Sequence, residues 1–349
     1  MPPTHPRTRK NEVRATIKDV AREAGVSVAS ASRALHNPGR VSAAMVEKVR
    51  IAADLLEYVP YRAAGYLVSK KFNAIGAIVP TIDNAIFAQA LHALQNQLNL
   101  HGYTLILAST HYSSEREVAE TQALIEHGVD AIVLVGEAHD EKVLRLLEGK
   151  HVPYINTWTY NAGGSAPCAG FDNRAAMVRL TNYLLDLGHR RFAVIAGITD
   201  KNDRAAERLE GVRDALAARG MTLQKEQIEE MPYTVAAGRQ ALRKFACAPT
   251  PPTAVICGND ILAFGAIYEC IARKIAVPQT LSITGYDDFE LSSHMSPALT
   301  TIRVPAIEMG VGAADYLVSY LAGKPMPKYM EYEAELIVRE STAPPPRAR

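Results

Sequence analysis

The sequence predicts an α/β protein with an N-terminal helix-turn-helix head and a two-lobed body built on parallel sheets. Three observations predict it. Residues 16–38 spell a capped helix, a glycine turn and a second helix ended by proline. The first 71 residues hold thirteen Lys and Arg against six Asp and Glu, a net +7, while the rest of the 349-residue chain holds 25 against 31, a net −6. Beyond residue 72, short apolar runs alternate with helical segments, the pattern of parallel strands covered on both faces.

In the head, Thr16 is placed to cap a helix whose third residue is Asp19, and Ile17, Val20 and Ala21 share one face. Gly25 supplies backbone freedom for a tight turn, and Ser27 caps a second helix starting at Val28. Val26, Ala31 and Leu35 close the small core between the two helices. That leaves Val28, Ala29, Ser30, Ser32 and Arg33 facing outward, where the second helix of such a motif meets base edges and phosphates. Val28 and Ala29 suit thymine methyls or simple shape fit, and Arg33 can reach guanine or phosphate. Thr16, Ser27 and Asn37 complete the expected DNA-contacting set within the motif, and Pro38 ends the helix. A third helix over 43–56, capped by Ser42 and stopped by Pro60, carries Val46, Val49, Ile51, Ala52 and Leu55. Three short helices in about sixty residues make a small core, so the head is expected to gain stability from a partner. The charge division agrees: a basic head neutralises phosphates while an acidic body stays off the duplex.

The body opens with a strand over 74–80 and a helix over 85–101 ended by Gly102. A strand at 103–108, a helix at 114–127, a strand at 131–135, a helix at 140–148 and a strand at 154–156 complete a first series. After a loop with Gly163, Gly164 and Pro167, a second series begins with a helix at 173–187 and a strand at 192–196. It continues with helices at 204–219 and 235–246, a strand at 254–257, a helix at 260–273 and a strand at 282–285. Two such series predict two similar lobes, with a ligand between them at the carboxyl ends of the strands. The expected divisions are a disordered basic arm at 1–15, the head at 16–60, a linker at 61–71, the body at 72–340 and a flexible tail at 341–349.

Composition and spacing exclude other classes. A hydrophobic content of 48% with 7% aromatics suits large aliphatic cores, and no apolar run approaches the ~20 residues of a membrane span. Residues 1–14 are polar, unlike a signal peptide, so a cytoplasmic protein with no membrane partner is expected. Cys168, Cys247, Cys257 and Cys270 show neither CxxC nor Cys/His spacing, which predicts reduced thiols and no metal. The histidines lack HxH and HExxH spacing, and no phosphate-binding glycine loop follows a strand. With no nucleophile and base in view, neither an enzyme nor a cofactor is expected.

Nearly end to end, the sequence resembles the LacI/GalR transcriptional regulators. The stretches that carry the resemblance are "TIKDVAREAGVSVASASRAL", "VSAAMVEKVRIAADLLEYVPYRAAGYLVSKK", "IGAIVP", "GFDN", "LGHRRFAVIAG", "ERLEGVRDAL", "PTAVICGND", "VPQTLSITGYDD" and "PALTTIRVP", in that order. The resemblance implies a body similar to periplasmic sugar-binding proteins and a homodimer on a palindromic operator. It implies that 61–69 form a hinge helix that orders on DNA. There Arg62 is a DNA contact, and Leu67 wedges into a minor-groove step with Ala64 beside it. A free-standing periplasmic binder would share the body but carry a signal peptide in place of the basic head.

Within the cleft, the resemblance nominates Asp287 in "GYDD" and Arg208 in "ERLEG" as polar effector contacts. A carboxylate accepts from vicinal hydroxyls, and a guanidinium fork donates to oxygens. Asn259 in "GND" is either an effector contact or a helix cap. Phe87, Trp158 and Tyr233 align with stacking positions, and Trp158 stands where many family members place an Asp, which argues against a simple hexose. Arg204, one turn before Arg208, would add a second guanidinium for an anionic ligand, or else face solvent or a subunit. The runs "PTIDNAIFAQAL" and "GFDN" look closest to the gluconate-repressor branch, which implies a sugar-acid or sugar effector. The alternatives are a purine or other non-sugar effector, and activation in place of repression.

Overall fold

The computed structural model describes residues 15–36, 38–59 and 72–346. The chain divides into two compact units, Met1–Phe72 and Asn73–Arg349. The first holds α1 (Ile17–Glu23), α2 (Val28–His36) and α3 (Ala43–Leu55). The Asp19 carboxylate accepts from the Thr16 backbone N–H at 2.9 Å and from its hydroxyl at 2.7 Å, which ties down the start of α1. Gly25 takes φ +58°, a turn conformation that a side chain would strain. Ser27 Oγ accepts from the Ser30 N–H, and Ser42 Oγ from the Met45 N–H, so each later helix starts on its expected cap. Val20, Ala21, Ala24, Ala31, Ala34, Val49, Ala52 and Ala53 form the core, with Ile17, Val26 and Leu35 packed against it.

The expected stripe on α3 is corrected in part. Ile51 and Leu55 are 50% and 70% exposed, and Ala53 takes the inner face instead. At 100° per residue, Val49, Ala52 and Ala53 fall on one side of the helix and Ile51 and Leu55 on the other. Asn37, Arg62, Ala64, Leu67 and the segments 1–14 and 60–71 lie outside the described residues.

The second unit contains two parallel sheets. One is built from β1 (Ala74–Val79), β2 (Thr104–Ser109), β3 (Ala131–Val135), β4 (Tyr154–Thr157), β5 (Cys168–Gly170) and β11 (Tyr329–Glu331), in the order β11-β5-β4-β3-β1-β2. The other is built from β6 (Phe192–Gly197), β7 (Ile228–Met231), β8 (Ala254–Cys257) and β9 (Ser282–Thr284), in the order β7-β6-β8-β9. A small antiparallel pair joins β10 (Thr301–Arg303) to β12 (Glu335–Ile337), with Ile302 opposite Leu336. Between the strands run α4 (Ala85–Leu100), α5 (Ser114–Glu126), α6 (Glu141–Gly149), α7 (Asn173–Asp186), α8 (Asp203–Ala217), α9 (Val235–Ala246), α10 (Asp260–Arg273), α11 (Glu290–His294) and α12 (Ala306–Leu321). β1 is buried along its whole length, as a strand covered on both faces must be.

The two halves do not follow one another in sequence as expected. After the second sheet is laid down, the chain returns to the first. There α12 packs along α4 and β11 pairs with β5, Tyr329 opposite Cys168. Residues expected as a flexible tail are also held at their start. Ser341 is fully buried, its hydroxyl donates to the Ile283 carbonyl at 2.6 Å, and its own carbonyl accepts from Ile283 N–H. All four cysteines are free thiols.

Candidate functional site

The head presents α2 as expected. Val28 is 43% exposed, Ala29 and Arg33 are exposed, and Ser30 and Ser32 are half-covered. Two of the nominated hydroxyls already have internal work. Thr16 is committed to Asp19, and the Ser27 hydroxyl lies 2.9 Å from that of Ser30 while it caps α2. Arg33 donates from Nε to the Ala29 carbonyl at 3.2 Å, which leaves its terminal nitrogens beyond the helix.

In the body, a cleft is lined by residues just past the carboxyl ends of strands and by the first turns of helices. Phe87, Trp158, Arg204, Arg208, Tyr233, Asn259 and Asp287 all lie on its wall, so the structure brings every nominated effector residue to one cavity. Asn84, Tyr112, Phe171, Asn173, Asn202 and Tyr286 line it too, and the sequence reading missed them. Asn84, Asn202 and Asn259 are the N-caps of α4, α8 and α10, and Asn173 opens α7. Four helix N-termini thus converge on the cavity, each with a partial positive charge suited to oxygen-rich or anionic groups.

Its aromatic wall is braced by contacts among its own residues. Phe87 and Trp158 meet edge to face with centroids 4.9 Å apart. Trp158 sits at φ +67°, a left-handed conformation uncommon outside glycine, and Asn173 holds it by donating to its carbonyl at 2.8 Å. The other side of the same Asn173 amide accepts from the Tyr286 hydroxyl at 3.2 Å. Over the Tyr286 ring, at 4.6 Å from its centroid, lies the Arg208 guanidinium, which also donates to the Tyr233 hydroxyl at 3.2 Å. Stacking and hydrogen bonding fix its direction while its charge stays unneutralised by any ion pair among the described residues.

Asp287 is 7% exposed and its backbone sits at φ +112°. No described protein group hydrogen-bonds to its carboxylate. Burial therefore pushes its pKa well above the ordinary range, Arg208 pulls it back, and Asp260 adds to the rise. A buried carboxylate in this state gains most from hydroxyl donors on a ligand. Asp260 is different: it accepts from Phe289 N–H at 2.8 Å and from the Ser292 and Thr301 hydroxyls at 2.6 Å each. Its donors are all internal, so it shapes the loop that carries Asp287.

Two expectations need adjustment. Asn259 accepts from Leu262 N–H at 3.0 Å, so its oxygen is a helix cap and only its amide nitrogen remains for a ligand. Arg204 lines the cavity, but its Nη1 is already engaged by protein groups. Its Nη1 donates to the Val135 carbonyl at 2.9 Å and lies 3.0 Å from Asp203. The expected pair of free guanidiniums reduces to Arg208 alone.

Comparison with known proteins follows the same division. Residues 16–61 match the family of bacterial regulatory proteins described as lacI family, and residues 181–342 match the periplasmic binding protein-like domain. The chain is 30% identical over 337 residues to the transcriptional repressor CytR of Escherichia coli K12, across 96% of this chain and 98% of that protein. It is 31% identical over 331 residues to the transcriptional regulator GntR of Pseudomonas aeruginosa, across 94% and 96%. Among solved structures, a complex of the regulator CelR with cellobiose superposes with a TM-score of 0.69 at 28% identity, covering 94% of this chain and all of that one.

Proposed function

Because this chain belongs to the lacI family of bacterial regulatory proteins, a DNA-binding transcriptional regulator rather than an enzyme, we propose that it is a cytoplasmic repressor controlled by a hydroxyl-rich sugar acid or sugar held in the body's cleft. The observation that carries this reading is the pairing of Asp287 with Arg208. Among the described residues, one is a buried carboxylate that accepts no protein hydrogen bond, the other a fixed guanidinium that makes no ion pair with a protein carboxylate. Hydroxyls on the ligand satisfy the first, and a carboxylate or ring oxygen satisfies the second. The converging helix N-termini favour an acid over a neutral sugar. That a related regulator is found with cellobiose supports the carbohydrate class.

On the DNA side, each protomer of a homodimer sets α2 into one half of a palindromic operator. The nominated contacts are Thr16, Ser27, Val28, Ala29, Ser30, Ser32, Arg33 and Asn37, with Arg62, Ala64 and Leu67 in the linker. Exposed Leu100 on α4 and Ile307 on α12 support a dimer contact along that side of the body.

A thermal-shift screen of the full chain against sugar acids, sugars and nucleosides tests the reading. A ligand that binds only the folded state raises its melting temperature. Sugar acids are expected to give the largest rise. A response confined to nucleosides would replace the carbohydrate reading with stacking on Phe87 and Trp158. Exchanging Val28 and Ala29 for Tyr and Gln is expected to change the operator chosen in a binding-site selection, and an unchanged choice would remove α2 from base readout.

A further inference from the structure

We propose that Asp203 and Arg204 form a clasp that ties the two sheets together across the cleft, and that this clasp sets access to the chamber around Trp158. Both residues open α8, which packs on the second sheet, while their partners lie at the end of β3 in the first. Arg204 donates to the Val135 carbonyl at 2.9 Å, and the Asp203 carboxylate accepts from the Glu137 backbone N–H at 2.6 Å. The two contacts grip three consecutive residues, one through its C=O and one through its N–H. They hold each other as well, as an ion pair at 3.0 Å. Both contacts are shielded, with the Arg204 side chain 11% exposed, so water competes weakly for them.

The residue between the gripped positions is built for this. Gly136 takes φ +88°, and a Cβ there would collide with both the Arg204 guanidinium and the Asp203 carboxylate. From the far side the turn is held by His139, whose Nε2 lies 2.9 Å from the Gly136 carbonyl and whose Nδ1 lies 2.7 Å from Glu117. A turn fixed from behind and gripped from in front behaves as a closed latch.

The clasp also stands at a partition. Arg204 and Tyr112 belong to the walls of two adjoining cavities. One contains Trp158, and the other is lined by Thr110, Ser113, Ser114 and Lys201. Breaking the clasp joins them. Arg204 is thus a specificity-determining residue through what it lets pass, and this inference goes beyond the regulatory reading without depending on the identity of the effector.

Trp158 is the chain's single tryptophan, so its fluorescence reports on the surroundings of that one residue in the cleft wall. The test is acrylamide quenching of the full-length protein without operator or effector. Arg204→Met keeps the length of the side chain and removes its donors, and Gly136→Ala wedges the turn open. Each is expected to raise the quenching constant at least about threefold while circular dichroism stays unchanged. Arg174→Met, which breaks the Arg174–Asp214 pair within the second half, is the control and should leave quenching at the wild-type value. A folded Arg204→Met protein that quenches like wild type overturns the proposal, and so does an equal rise in Arg174→Met. If neither cleft variant folds, hydrogen exchange in the unmutated chain decides: a protected Glu137 amide supports the clasp, and rapid exchange there overturns it. None of these measurements involves DNA, so their failure leaves the regulatory reading standing.

Discussion

The head and the body solve the same burial problem with different residues. Every fully shielded side chain in the described head is alanine or valine, from Val20 through Ala31 to Val49 and Ala53. The second half of the body instead buries Leu180, Leu184, Ile195, Phe192 and Tyr286 around one continuous core. Each fully buried leucine or isoleucine contributes roughly 1.5–3 kcal/mol against exposure, and an alanine much less. The head therefore has little apolar burial to hold it together, whereas the body buries many large side chains. A unit with so small a core is readily stabilised by what it binds, so operator DNA should order the head far more than effector orders the body.

The largest effect that can break this contrast is in the body core. Leu184→Ala should cost about 2–5 kcal/mol of body stability. Measured by denaturant unfolding, the body transition should move while hydrogen exchange across α1 and α2 stays at its wild-type rate. A simultaneous loss of protection in the head would mean the two units are energetically one. Next in size is Asp287→Ala, which removes one side of the proposed ligand contact and should cost about 1–3 kcal/mol, or about 5- to 150-fold in effector affinity. Operator affinity without effector should stay within a few-fold of wild type in fluorescence anisotropy. A mutant that still responds at the wild-type ligand concentration would take Asp287 out of the site.

In the head, Thr16→Ala removes a donor to Asp19 at the start of α1 and should cost about 1 kcal/mol, or about fivefold faster amide exchange. Saturating operator should restore most of that protection, and an equal deficit with and without DNA would contradict the dependence of the head on its partner. The smallest effect is a pH slope in the body. Burial works against the charge of His139, but the hydrogen bond and charge of Glu117, with Gly136 and Asn156, more than offset it and raise its pKa. A raised pKa gives stability that is complete below the ordinary value of 6.5 and is lost as pH rises through the folded value. His189 is pushed down, chiefly by burial, and works in the opposite sense. The measurement is therefore a difference: wild type should exceed His139→Gln in melting temperature by more at about pH 6 than at about pH 8. A constant gap would show that His139 does not titrate in that range.

How much of this was legible beforehand depends on the kind of signal. β1 and β3 could be read because continuous apolar runs bounded by breakers mean a covered strand. The three head helices could be read because Thr16, Ser27 and Ser42 sit where caps belong. β7 was missed because Ile228–Met231 holds two glutamates at a sheet edge, and β5 because three residues have no period. Gly310 and Gly312 weaken the helical pattern of α12, yet the helix forms because Met309, Ala313 and Leu317 find an apolar partner in the returning fold. In the cleft, Asp287 and Arg208 were visible only through resemblance, since a lone carboxylate and a lone arginine have no spacing to announce them. Asn84 and Asn202 were hidden behind a more ordinary role. An asparagine before a helix reads as a cap, and nothing local shows that the cap faces a cavity.

The return of the chain after residue 300 has a consequence for synthesis. The head is complete within one contiguous stretch and can fold as soon as that stretch leaves the ribosome. Neither half of the body can do so. The first sheet waits for β11 and for α12 to cover α4, and the second waits for Ser341 to dock beside Ile283. For most of its translation, the nascent protein is thus a finished DNA-binding module trailing two open sheet edges. A transcript broken before codon 300 would yield a head without a regulated body, with unpaired strands exposed to the cell's chaperones and proteases.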